Sequence, residues 1–122
     1  MNWILAAGAI NGALAVMAGA FGAHGLKARL TPELLATWNT AAGYHMYHAL
    51  ALVLIGVLLA AQPQPSLNGP GVAMLVGIVL FSGSLYALAL TGIKVLGAIT
   101  PIGGTAFIVG WLWLAWLALR SA

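Results

Sequence analysis

Residues 1–33 read MNWILAAGAINGALAVMAGAFGAHGLKARLTPE. Up to Leu26 there is no charged side chain; then Lys27, Arg29 and Glu33 follow within a few positions. An uncharged apolar run of about 20 residues is what a helix needs to cross ~30 Å of hydrocarbon at ~1.5 Å per residue. No Lys or Arg precedes the run, and it exceeds the roughly 7–15 apolar residues of a secretory signal. It is therefore read as a first membrane helix, kept in the mature protein.

The same alternation continues to the other end. The remaining charges are Lys94, in a later interruption, and Arg120, next to the C-terminus. Hydrophobic residues make up 63% of the chain, and its mean hydropathy is +1.08. A soluble globule of this size could not cover its surface with so few polar groups. Turn signals, above all QPQPSLNGPG at residues 62–71, divide the chain into spans at about 2–23, 34–61, 71–92 and 101–119. Pro32 and Pro101 stand where a first helical turn tolerates proline, and Thr31 and Thr100 are placed to cap. No segment alternates polar with apolar residues, so a β-barrel is excluded. The reading is an all-α integral membrane bundle of four transmembrane helices, one domain over residues 1–122. Its first partner is the lipid bilayer.

Composition removes other classes. There is no Cys, hence no disulfide, thiol nucleophile or thiolate metal site. The pI near 9.8 rests on four Lys and Arg against one Glu, too few to neutralise a row of phosphates, so nucleic acid is not a partner.

Two interruptions resemble each other: GLKARLTP (Gly25 to Pro32) and GIKVLGAITP (Gly92 to Pro101). Both leave a helix through Gly-aliphatic-Lys and enter the next through Thr-Pro, as in two parallel-repeated helical hairpins. His24 and Lys27 belong to the first of these loop motifs. Both turns face one side, with Lys27, Arg29 and Lys94 against Arg120 on the other. The positive-inside rule then makes that side cytoplasmic and leaves both termini outside. Trp3, Trp111, Trp113 and Trp116 read as an aromatic belt near the terminal side.

Gly8, Gly12, Ala15, Gly19 and Gly22 recur at steps of four and three, giving the first helix a face of small residues for close approach. Packing within the bundle is the simpler use of that face. A second copy of the chain, or another membrane helix, is the alternative partner.

Counting ~1.5 Å per residue from the Lys-bearing turns puts Asn11, His45, His48, Ser82 and Ser84 at similar depth near mid-bilayer. With Tyr44 they form a candidate polar layer, since groups that find no water must find each other. Tyr86 is a further polar residue at membrane depth. His45 and His48, at i and i+3, share a helical face. As metal ligands they lack a third donor, because no carboxylate or thiol lies at their depth. As a proton relay they have Tyr and Asn neighbours but no acidic partner to hold a proton on imidazole. As neutral groups bonded across helices to Asn11, Ser82 or Ser84 they would fix bundle register. The last reading is favoured; no metal or other cofactor is assigned. Catalysis has little support: FSGSLY (Phe81 to Tyr86) lacks the spacing and strand-turn-helix setting of a nucleophilic serine elbow.

GAFGAHGLK (Gly19 to Lys27), TAAGYHMYHALAL (Thr40 to Leu52), LFSGSLYALALTG (Leu80 to Gly92) and GAITPIGGTAFIVGW (Gly97 to Trp111) together resemble one family. It is the small four-helix membrane family called domain of unknown function 423, with its YgdD-like bacterial members. The resemblance spans nearly the whole chain. It implies a multi-pass protein of the bacterial inner (plasma) membrane, with no assigned activity and no catalytic residues. The family pattern often has Gln at the position of His45, in a Tyr-Gln-x-x-His string. Gln keeps the hydrogen bonding but is a poor metal ligand, which weakens the metal reading further.

The expected function is a noncatalytic structural, lipid- or partner-binding membrane protein. The alternative is a small-solute or proton pathway through the His45/His48 layer.

Overall fold

A computed structural model describes residues 1–120. Its four long helices are α1 (Trp3–Leu26), α2 (Pro32–Ala61), α3 (Pro65–Thr91) and α4 (Thr100–Arg120), the last preceded by a tight 3₁₀ stretch at Lys94–Ala98. Each is long and apolar enough to cross a membrane, and no strand occurs among the described residues.

The helix ends follow local chemistry. The Asn2 side chain accepts from the Leu5 N–H at 3.1 Å, satisfying a donor that has no helical partner. Its amide also donates to the Gly56 carbonyl at 2.9 Å, tying the start of α1 to the end of α2. Thr31 caps α2 through the Leu34 N–H, Pro32 takes the first helical position, and Glu33 complements the helix dipole. α3 opens with a 3₁₀ turn at Pro65–Leu67 and is α-helical from Asn68, earlier than the expected residue 71. Pro70 does not delay it, because it stands in the first turn after Asn68, where its missing N–H has no helical acceptor to leave unpaired. α3 ends at Gly92, whose φ of 72° gives a left-handed cap that side chains with a Cβ rarely adopt.

Thr100 corrects the expectation of a cap. It lies within α4, and its hydroxyl meets the Ser84 hydroxyl at 2.7 Å instead. His24 is likewise not in a loop but in the wide π-helical last turn of α1, Gly22–Leu26.

α2 and α3 are the inner helices. α1 packs along α2, α4 packs along α3, and α2 and α3 pack on each other. Accordingly the inner pair bury 39% and 33% of their most apolar windows, the outer pair 17% and 22%. Small residues let backbones approach where the layers are closest. A Cβ on Gly8 would lie 2.7 Å from the Val53 backbone nitrogen, and one on Gly56 would lie 2.7 Å from the Leu5 backbone. Gly103 of α4 rests on the backbone of Leu80 and Phe81 in the same way. Of the small-residue face of α1, Gly8, Ala15 and Gly22 are buried within the bundle, while Gly12 and Gly19 look into open space.

Leu80 and Phe81 belong to a second wide turn, Ile78–Ser82, in the middle of α3. An extra residue in a helical turn shifts the faces on either side of it. Ser82 thereby faces α2 and Ser84 faces α4.

Candidate functional site: a hydrogen-bonded layer around His45 and His48

α2 carries both imidazoles, and both are buried. His45 Nε2 is 2.9 Å from Asn11 Oδ1 on α1, and its Nδ1 is 2.9 Å from the Tyr86 hydroxyl on α3. The Asn11 amide nitrogen donates to the Ala7 carbonyl at 2.8 Å, which fixes Oδ1 as the atom facing His45. An amide oxygen only accepts, so His45 carries its proton on Nε2. Tyr86 must then donate to Nδ1. One proton arrangement satisfies the set without any net charge.

His48 has the opposite tautomer. The Trp111 indole N–H on α4 donates to His48 Nε2 at 3.1 Å. An indole nitrogen has no lone pair to offer, so Nε2 is the acceptor and the proton sits on Nδ1. From there it is donated to the Tyr44 carbonyl one turn earlier, at 2.7 Å. A second proton on His48 would point at the indole N–H and break the bond. The ring is held by shape as well: it stacks on Phe107 with centroids 3.5 Å apart and planes 11° from parallel.

The serines close the layer elsewhere. Ser82, fully buried, donates to the Ala41 carbonyl at 2.8 Å, which links α3 to α2. Ser84 bonds the Phe81 carbonyl and Thr100, which links α3 to α4. Neither serine is hydrogen-bonded to a histidine among the described residues. Among the described residues no buried side-chain nitrogen or oxygen lacks a hydrogen bond, and no three His, Asp or Glu side chains come together.

Of the expected layer, Asn11 and His45 meet directly, and His48, Ser82 and Ser84 each bond groups other than those expected. Tyr44 departs from it. Its carbonyl takes part, but its ring lies at the edge of the layer, packed on Phe81 at 4.6 Å on one side and 41% exposed on the other. His24 and Lys27 are exposed at the Lys-bearing end, apart from the layer. Three further residues join it: Tyr86, expected only as a polar residue at membrane depth, Thr100 through Ser84, and Trp111. Trp111 is not part of an interfacial belt. From Thr100, at ~1.5 Å per residue, it lies about 16 Å into α4. That count was the signal available in the sequence. Below the layer Trp38 donates to the Ala18 carbonyl at 2.7 Å and packs its ring on Tyr86 at 4.6 Å, so Tyr86 is held from two sides.

A family model described as Protein of unknown function (DUF423) matches residues 18–104. The chain belongs to this family. All of the residues that bond across the layer, except Asn11 and Trp111, lie inside the matched region. A UPF0382 membrane protein of Staphylococcus epidermidis is 48% identical to this DUF423 protein over 122 residues, covering 100% of the chain and 99% of the relative. The UPF0382 membrane protein YwdK of Bacillus subtilis is 47% identical over 121 residues, covering 98% of each. One from Staphylococcus saprophyticus is 50% identical over 114 residues, covering 93% of the chain and 94% of the relative. No solved structure matches the chain. The DUF423 protein is thus an all-helical membrane protein of four spans, related along its whole length to proteins named only for being in membranes.

Proposed function

We propose that this DUF423 protein is a noncatalytic component of the bacterial inner membrane, whose neutral polar layer locks four helices into one register so that the bundle presents a fixed outer surface. The observation that carries the reading is the Trp111-to-His48 bond. A donor-only indole opposite Nε2 leaves His48 no place for a second proton without loss of that bond, which a relay would need at every cycle. Full pairing of the buried polar atoms supports the same reading. None of the residues that bond across the layer lines the surface clefts described. One, of about 150 Å³, is lined by Leu58, Gln62, Leu67, Leu114 and Leu117 at the terminal end.

The positive turns support an orientation with Lys27, Arg29 and Lys94 in the cytoplasm and both termini outside. Lipid contacts most of the outer surface, where Ile10, Val16, Leu54, Val79, Ile102 and Ile108 stand exposed.

The test is proton flux. Purified protein in liposomes under an imposed pH gradient and potential should leak no faster than empty liposomes, and His48→Gln should leave that rate unchanged. A flux that needs His48 or His45 would overturn the structural reading in favour of a proton pathway.

A further inference from the structure

We propose that the outer face of α2 around Tyr44 and Tyr47 is an interface between two copies of this chain, related by a twofold axis along the membrane normal. Tyr44 and Tyr47 are 41% and 61% exposed, and their rings lie 5.7 Å apart on one side of α2. Neither phenol hydroxyl makes a hydrogen bond among the described residues, whereas Asn11, Ser82, Ser84, Tyr86 and Trp111 all do. Their depth makes this informative. Glu33 and Gln62 flank the span, and their midpoint falls between Tyr47 and His48. Both tyrosines are therefore near the centre of a ~30 Å hydrocarbon layer, roughly 10–15 Å from the nearer face. A phenol at the membrane edge is ordinary; one at the centre faces acyl chains that can neither donate nor accept.

What covers it must bring a donor and acceptor to the same depth. A second copy does so by construction. A hydroxyl both donates and accepts, so Tyr44 and Tyr47 of one copy can pair with Tyr44 and Tyr47 of the other in a self-complementary contact. A twofold axis along the normal keeps equal residues at equal depth. Gly43 stands beside this pair, and a Cβ there would meet the Tyr47 ring in ordinary contact at 3.6–3.9 Å. The interface uses no side chain of the polar layer, so it goes beyond the function proposed above and can fail independently of it.

The experiment uses Tyr44→Phe/Tyr47→Phe, which keeps both rings and the Tyr44 carbonyl. Donor- and acceptor-labelled protein is mixed in lipid bilayers, and energy transfer is followed as the protein-to-lipid ratio rises. The wild type should associate, and the double variant should need about a tenfold higher ratio for the same transfer, the loss expected for one or two interhelical hydrogen bonds in lipid. Its melting temperature should match the wild type, because the hydroxyls bond nothing among the described residues. Since the chain has no native Cys, Leu54→Cys on the same face should form oxidative dimers and Val79→Cys on α3 should not. A wild type that stays monomeric at every ratio, association indifferent to the two hydroxyls, or equal cross-linking at Leu54→Cys and Val79→Cys would each overturn the proposal.

Discussion

α1 and α4 meet α2 in opposite ways. Across α1 and α2 the backbones nearly touch, with Gly8 over Val53 and Gly56 over Leu5. Across α2 and α4 aromatic rings fill the space: Tyr44, His48 and Phe107 stack, and Trp111 closes the group edge-on to His48 at 5.9 Å. Each seam holds one histidine. His45 sits at the tight one and reaches α1 and α3; His48 sits at the aromatic one and reaches α4. In lipid no hydrophobic force drives helices together, so either dense backbone packing or polar pairing must supply the attraction. The contrast shows both solutions side by side in one small protein.

The largest effect should come from the tight seam. Gly8→Ile places branched carbons where the α2 backbone already stands, and should cost about 3 kcal/mol or more, or prevent folding. Gly12→Ile, one turn along the same helix, meets open space and should be nearly neutral. Thermal unfolding in detergent checks the pair; similar losses at the two sites would mean that α1 packs by another face.

His48→Leu should be next, at about 1–3 kcal/mol, because it leaves the Trp111 N–H without its partner inside the bundle. His45→Gln should cost less, since an amide can accept and donate as imidazole does. Equal melting temperatures for His48→Leu and the wild type would remove the case for a structural layer.

Trp111→Phe should have a smaller effect than His48→Leu. It keeps the ring and loses one hydrogen bond, for which about 0.6 kcal/mol is typical in membranes and ~1.7 is the upper end. Combined with His48→Leu it should add little, because both remove the same bond.

Much of the fold is legible in the sequence, because a charge inside a span is so costly that the five charges mark the helix ends. The finer ends are less legible: Pro70 reads as a breaker until the helix is seen to begin just before it. In the layer, Asn11 and His45 can be matched by depth. The partners of His48 cannot, because they depend on rotation about the helix axes. The wide turn at Ile78–Ser82 shifts that rotation within α3, with no proline to announce it. Trp111 was hidden by a habit of composition, since tryptophan near a chain end reads first as an interfacial anchor. Tyr44 shows the reverse: depth alone admits a residue whose ring packs at the edge of the layer while its hydroxyl bonds none of it.

The most direct test of a closed, neutral layer is the protonation of its two buried rings. Nitrogen-15 spectra of histidine-labelled protein in bilayers at neutral pH should show His45 as the Nε2–H tautomer and His48 as the Nδ1–H tautomer, both uncharged. Exposed His24 supplies the third signal, identified by its loss in His24→Gln. An imidazolium at either buried site, or the same tautomer at both, would contradict the account.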